Sequence, residues 1–143
     1  MNSKKVLRII DVNLNRCKEG LRVIEDIFRF ILEDDHSRRK IRKIRHSLDA
    51  IIKKSDFRDK LLLSRNAAKD IGKEIDSLEM KRMNSSELFY SNLQRVKESL
   101  RVLEEFFKII DKTEVKTIKK TRYKIYEIEK NAFKKWSSLR NFG

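Results

Sequence analysis

The chain has 143 residues, of which 41% are charged and 39% hydrophobic, with 3 Gly, no Pro and one Cys. This length fits a single domain over residues 1–143, and the scarcity of helix breakers among many Lys, Glu, Leu and Ile residues indicates an all-α protein. The composition excludes an internal disulfide, a membrane span of ~20 apolar residues and a signal peptide, so we expect a cytoplasmic protein that does not enter a membrane.

The net charge is +14. Such an excess of Lys and Arg indicates either a solvated lysine-rich surface or a surface that binds an anionic partner. Nucleic acid, a membrane surface and a phosphorylated small molecule are the partners that such a charge suits.

The N-terminal half predicts two helices and a short helical segment. The first begins at a cap on Asn2 or Ser3 and ends near Leu32, where EDDH interrupts the apolar pattern. Asp34 or Asp35 then caps a second helix over about 37–54. A short helical segment follows Asp56.

The stretch 64–83 has weak periodicity, and we predict a long central connection with a turn or two of helix. Such a connection in a compact domain is often functional. Asn84 with Glu87 has the spacing of a capping box and starts a third long helix. Asp111 with Glu114 has the same spacing and starts the last helix, which we expect to end near Trp136.

A phrase on the first helix is repeated on the third. NLNRCKEGLRVIE, residues 13–25, matches NLQRVKESLRVLE, residues 92–104, at nine of thirteen positions. A weaker match relates the second and last helices. The repeat, over 8–54 and 87–131, predicts two helical hairpins that form an antiparallel four-helix arrangement.

A helical wheel places polar residues of the repeated phrase on its apolar side. Asn13 and Arg16 are predicted to point inward, as are their counterparts Asn92 and Arg95. Arg45 and Arg122 lie at the edge of the apolar face of the shorter helices, so four arginines are expected at one interior.

Two interpretations of these arginines remain open. They can pair with carboxylates in an internal network that docks the hairpins, with Glu19, Glu98, Glu25 and Glu104 as the partners. Alternatively, their surplus charge can hold a phosphate, which the planar guanidinium recognises with two hydrogen bonds.

The connection offers a second group of polar residues. SRNAAKDIG contains Arg65, Asn66, Asp70 and Gly72 within nine positions. Asp70 before a glycine suits a turn that folds over a phosphate or holds a metal ion.

These motifs resemble a helical hydroxymethylpyrimidine phosphate kinase family, a domain found fused ahead of thiamine phosphate synthase and often labelled thiamine-phosphate pyrophosphorylase. That family typically reads D-A-N-L-N-R-A-R-E-G-L-R-V-x-E-D, here from Asp11, and R-D-x-x-x-D-V-G, here 65–72. It continues with N-x-x-R-x-x-E-A-L-R-x-L-E-E, here 92–105, and R-Y-x-x-Y-x-x-E, here 122–129. The resemblance covers about residues 8–130.

The resemblance implies ATP-dependent phosphorylation of the pyrimidine monophosphate to the diphosphate, with Mg²⁺ as cofactor. It implies that Asp70 holds the metal, that Asn13 and Asn92 read the pyrimidine or orient phosphate oxygens, and that Glu19 or Glu98 accepts a hydroxyl proton. The phosphates would be held by five arginines: Arg16, Arg45, Arg65, Arg95 and Arg122. Asn66 and Gly72 complete the substrate-binding set.

This chain departs from the family pattern at two positions and in length. Asn66 replaces an Asp, and Ser99 replaces an Ala. A chain of 143 residues is shorter than a synthase barrel of ~250, so we expect no thiamine phosphate synthesis by this chain alone.

Two further function classes compete with the kinase. One is a basic helical module that binds nucleic acid, although the lysines are spread over all four helices. The other is a non-catalytic helical partner of a separate thiamine phosphate synthase. A homodimer is also compatible with the sequence.

Overall fold

The computed structural model describes residues 3–54, 56–73 and 84–140, with side chains described as far as residue 137. Within these residues the chain forms five α-helices and no strand, which confirms the all-α class. The helices are α1 (Ser3–Asp26), α2 (Asp35–Ile52), α3 (Phe57–Ser64), α4 (Ser85–Ile110) and α5 (Thr113–Arg140). None of them combines the length and hydrophobicity that a bilayer crossing requires.

The predicted helix boundaries are close to the observed ones. Asp34 is the N-cap of α2, and its carboxylate accepts a hydrogen bond from the Ser37 backbone N–H at 3.2 Å. Asn84 caps α4 in the same way through the Glu87 N–H. These caps satisfy amide groups that a helix start would otherwise leave without partners.

The first helix ends as predicted, and the last one differs from the prediction. α1 continues into a π-helical turn, Ile27–Ile31, with Leu32 as its C-cap, and Glu33 follows with a φ of 49°, in the left-handed region. α5 extends to Arg140, beyond the predicted end at Trp136, because Ala132 and Trp136 are buried and hold its last turns against the core.

The connection between α3 and α4 comprises residues 65–83, of which the structure describes 65–73. Its described part contains one 3₁₀ turn, Ala67–Lys69. The rest of the predicted 64–83 segment lies outside the described residues.

The long helices α1 and α4 pack against each other most extensively, in antiparallel orientation. Phe28 near the end of α1 meets Phe89 near the start of α4, with an edge-to-face ring distance of 5.4 Å. Near the middle, a Cβ on Gly20 would lie 2.9 Å from Val96. Cys17 lies close enough to Ser99 for that side chain to lower the pKa of its thiol. The repeat relates Cys17 to Val96 and Gly20 to Ser99, so exchange of the hairpins converts one contact into the other.

An approximate two-fold axis therefore passes between α1 and α4 and places α2 and α5 on the same side of them. Ion pairs at equivalent positions of the repeat support this: Glu25 of α1 pairs with Arg45 of α2, and Glu104 of α4 pairs with Arg122 of α5. α3 packs on α1 without a counterpart on α4 among the described residues. Within these residues, α3 is thus an asymmetric part of the fold.

Candidate functional site

The two repeated asparagines are buried, as predicted. Asn13 is 4% exposed and Asn92 is 7% exposed. Each side-chain amide donates to a carbonyl one turn earlier in its own helix, Asn13 to Ile9 and Asn92 to Leu88, both at 2.8 Å. This use of the amide hydrogens within the helix supports a structural role, and reading of a pyrimidine stays a prediction.

Arg45 and Arg122 pair with buried carboxylates inside their own hairpins. Arg45 Nη2 lies 3.2 Å from an oxygen of Glu25, and Arg122 donates from both Nε and Nη2 to Glu104. Donation of these hydrogen bonds to Glu104 raises the pKa of the Arg122 guanidinium. The interpretation of an internal Arg–Glu network is therefore correct for these two arginines, with Glu25 and Glu104 as the partners.

Arg16 and Arg95 are exposed, so the prediction that they point into the interior is wrong. Glu19 and Glu98 are exposed as well, and Glu98 accepts a hydrogen bond from Gln94 at 3.0 Å. The inward arc assumed for the wheel was too wide: Arg16 lies about 60° from Asn13, beyond the surface that α4 covers. The four arginines thus do not share one interior.

An open cleft brings Arg16 together with the connection. It measures about 640 Å³ and lies between the N-terminal half of α1 and the residues after α3. Five of the predicted site residues line it: Arg16, Glu19, Arg65, Asn66 and Asp70. The sequence reasoning missed other lining residues: Lys5, Arg8, Asp11, Val12 and Asn15.

Asp11 fixes the connection to α1. Both of its oxygens accept from Arg65, Nε to Oδ2 and Nη2 to Oδ1, each at 2.8 Å. Asn15 also donates to Asp11, at 3.3 Å. Asp11 is 6% exposed, and its hydrogen bond raises the pKa of the Arg65 guanidinium. Such two-pronged pairs fix geometry as well as charge.

The Asp11–Arg65 pair commits Nε and Nη2 of Arg65 to a carboxylate, and phosphate binding by Arg65 stays a prediction. The sequence analysis did not consider Asp11, which precedes the repeated phrase by two residues. A helical wheel with one inward arc does not find it, because α1 is covered by α4, α2 and α3, so that polar residues on several of its faces are buried.

Asp70 organises the local turn of the connection. Its Oδ1 accepts a hydrogen bond from the Gly72 backbone N–H at 2.8 Å, and both residues are exposed. Gly72 does not line the cleft. Asn66 lines the cleft beside Asp70 and is likewise exposed.

The cleft is cationic on its α1 side. Lys5, Arg8 and Arg16 form no ion pair with any residue in the described part of the chain. The cleft also contains two carboxylates, Glu19 from α1 and Asp70 from the connection. The side chains therefore suit a ligand that carries phosphate groups and, with them, a hard cation.

The carboxylates of the cleft fit Mg²⁺ when phosphates of a substrate and water complete its coordination. Across residues 3–54, 56–73 and 84–140, no three His, Cys, Asp or Glu side chains converge as a metal-binding group. Mg²⁺ is commonly held by one or two carboxylates together with substrate phosphates and water. Asp70 and Glu19 can supply those carboxylates in the cleft.

The second hairpin does not repeat this cleft chemistry. At the repeat offset, Lys5, Arg8 and Asp11 correspond to Asn84, Glu87 and Tyr90, respectively. The cations Lys5 and Arg8 and the anchor for the connection, Asp11, thus have no equivalent in the second copy. Arg16 and Arg95 occupy equivalent positions in the repeat, but only Arg16 lines this cleft.

The ThiD2 family model matches residues 8–131. A thiamine-phosphate synthase of Synechocystis sp. is 35% identical over 125 residues, which are 87% of this chain and 35% of that protein. A thiamine-phosphate synthase of Prochlorococcus marinus subsp. pastoris is 37% identical over 126 residues, which are 87% of this chain and 34% of that protein. The chain therefore spans about a third of the length of these curated relatives. No solved structure matches the chain.

Proposed function

The chain belongs to the ThiD2 family, and from this premise we propose that it acts in thiamine biosynthesis as a kinase for hydroxymethylpyrimidine phosphate. The reaction would take place in the cleft between α1 and the connection. The observation that carries the proposal is the group of three cations, Lys5, Arg8 and Arg16, beside the carboxylates of Glu19 and Asp70.

The proposed phosphoryl transfer requires neutralisation of the negative charge on the phosphates and does not require a general base. An oxygen of the pyrimidine monophosphate attacks the γ-phosphorus of ATP and forms the new P–O bond. The bond from the γ-phosphorus to the bridging oxygen breaks, and ADP leaves with the electron pair. Because a phosphate monoester is mostly doubly ionised near pH 7, no hydroxyl proton has to be removed.

The proposed reaction therefore needs neither Glu19 nor Glu98 as a proton acceptor, contrary to the predicted role. Glu19 and Asp70 are left as carboxylates that would hold Mg²⁺, which when bound supplies charge neutralisation on the phosphates. Glu98 lies on α4 and does not line the cleft. Its exposure and its bond with Gln94 are typical of a surface residue.

The cations of the cleft would bind and orient the two phosphorylated substrates. Arg16 can hold phosphate oxygens with two parallel hydrogen bonds, whereas Lys5 contributes a point charge. The Asp11–Arg65 pair would set the distance between α1 and the connection, so that Asp70 faces the cations of α1. Holding two anions in one orientation is itself a large part of phosphoryl-transfer catalysis.

A coupled assay of ADP release tests the proposal, with purified protein, Mg-ATP and hydroxymethylpyrimidine phosphate, and with ³¹P detection of the pyrimidine diphosphate. Equal amounts of ADP and diphosphate would support the kinase. Absence of turnover, together with no rise in melting temperature in the presence of either substrate, would overturn it. The chain would then be better explained as a non-catalytic partner of a synthase.

A further inference from the structure

A second concave surface lies between the outer helices. α2 and α5 contact each other only sparsely, and a cavity of about 350 Å³ opens between them. Its apolar side is formed by the buried residues Ile44 and Ile128, with Thr121 beside them. Three lysines line it from both helices: Lys40, Lys43 and Lys124.

A neighbouring cavity extends this surface along α5. It measures about 520 Å³ and shares Lys124 and Glu127 with the first. Its other lining residues are Lys116, Lys119, Lys120 and Tyr123. We call the two cavities together the lysine groove. Residues 116 to 127 of a helix span about 17 Å, so the groove is elongated rather than a single point.

The groove has a strong excess of positive charge. Six lysines line it against one carboxylate, Glu127. None of the six forms an ion pair with a residue in the described parts of the chain. Tyr123 is 54% exposed and offers an aromatic surface in the middle of the lysines. Cations, an apolar floor and an exposed ring occur together here.

The groove is separate from the cleft. The side chains of α1 that pair with α2, Lys18 and Glu25, lie about 120° around the helix from the centre of the cleft-lining residues. The groove and the cleft therefore open on opposite sides of the α1–α4 layer. A ligand in the groove cannot exchange a phosphoryl group with one in the cleft.

We propose that the lysine groove binds single-stranded nucleic acid. Its phosphates would lie along the lysines of α5 and α2, and unstacked bases would contact Tyr123 and the apolar floor between the helices. Surfaces that bind single strands combine a cationic groove with aromatic side chains in this way. An acidic protein fits less well, because the cores of protein interfaces are depleted in Lys.

Fluorescence anisotropy with a labelled oligothymidylate dodecamer tests this inference over a series of salt concentrations. The groove variant carries Lys40→Gln, Lys43→Gln and Lys124→Gln. The control carries Lys53→Gln, Lys60→Gln and Lys112→Gln, three exposed lysines outside the groove with the same change in charge. Loss of three phosphate contacts should lower the salt slope by about 2 in the groove variant and leave the control unchanged.

A Tyr123→Ala variant separates base contacts from charge. It should weaken binding by roughly 5- to 150-fold without a change in the salt slope. Equal losses in the groove and control variants would overturn the proposal, since binding would then follow net charge alone. Displacement by polyglutamate as effectively as by an oligonucleotide of equal charge would also overturn it and indicate an acidic protein partner. The groove variant should retain wild-type kinase turnover, so this test is independent of the proposed function.

Discussion

At the scale of single residues, the arginines of the repeat divide into two groups. Arg45 and Arg122 lie beside carboxylates that are 3% and 2% exposed. Arg16 is exposed and faces the cleft. Removal of an arginine from the first group should therefore affect stability, and removal of Arg16 should affect ligand binding.

Arg45→Met should destabilise the fold by about 1.5–3 kcal/mol, because the buried carboxylate of Glu25 loses one of its two charged partners and keeps only Arg22. Urea unfolding followed by circular dichroism measures the change. Arg39→Ala, which breaks only an exposed pair with Asp35, should cost less than about 1 kcal/mol. If both variants lose the same stability, the Glu25–Arg45 pair has no special role in docking the hairpin.

Cys17 should be chemically inert in the folded protein. Burial raises the pKa of its thiol to about 12, an effect that the hydrogen bond with Ser99 only partly offsets. Since the thiolate is the reactive form, labelling with a disulfide reagent at pH 8 should be roughly 1,000-fold slower than in denaturant. Equal rates in the two conditions would show that Cys17 is accessible, contrary to the packing described here.

The sequence could predict these residues only in part. Hydrophobic periodicity found Asn13 and Asn92 on the buried side, since an apolar stripe marks the direction of the core. It could not place Arg16, which lies at the edge of that stripe, or Asp11 and Glu25, which are buried on other faces of α1. A helix covered on three sides has no single polar face for a wheel to detect.

At the scale of helices, the α1–α4 contact depends on small residues near the two-fold axis. A Cβ at Gly20 would lie 2.9 Å from Val96 Cγ2 and 3.2 Å from the Asn92 carbonyl oxygen. The backbone carbonyl cannot move away as a flexible side chain would.

Gly20→Ala should therefore destabilise the protein by about 1–2 kcal/mol, although Ala is the better helix former by about 1 kcal/mol. Thermal unfolding gives the measurement, and Ser99→Ala at the repeat-related position is the matched control, expected to be near neutral. In a double-mutant cycle, Gly20→Ala with Val96→Ala should lose less stability than the sum of the single changes. An increase in stability for Gly20→Ala would contradict the close approach of the helices.

The Asp11–Arg65 pair links a helix to the connection. Asp11→Asn removes the charge and one of the two hydrogen-bond acceptors, and we expect roughly tenfold lower kcat/KM with a stability loss of about 1–2 kcal/mol. Asp35→Asn, an exposed carboxylate on α2, is the control. Unchanged kinetics in Asp11→Asn would mean that the position of the connection does not matter for the reaction.

Helix boundaries were the most predictable feature at this scale. Capping residues such as Asp34 and Asn84 act locally, so their sequence signature is sufficient. The path of the connection over α1 is set by Asp11 and Arg65, which are 54 positions apart. Periodicity contains no information on such a contact.

At the scale of the whole molecule, a duplicated hairpin provides a nearly symmetric scaffold with two different surfaces. On one side, α3 packs on α1, and residues 65–70 of the connection form the cleft with α1. On the other side, the separation of α2 and α5 creates the lysine groove. The sequence did not predict this second surface, because its lysines come from helices that are far apart in the chain and that the fold brings together, residues 40–47 beside residues 121–128.

The most direct test of the cleft as the site of phosphorylation is kcat/KM for hydroxymethylpyrimidine phosphate in Arg16→Ala, measured beside Arg39→Ala. Loss of charge-assisted hydrogen bonds to a phosphate should lower kcat/KM by roughly 10- to 150-fold in Arg16→Ala, with the melting temperature unchanged because Arg16 is exposed. Arg39→Ala should match the wild type. Wild-type kcat/KM in Arg16→Ala would contradict the assignment of the reaction to this cleft.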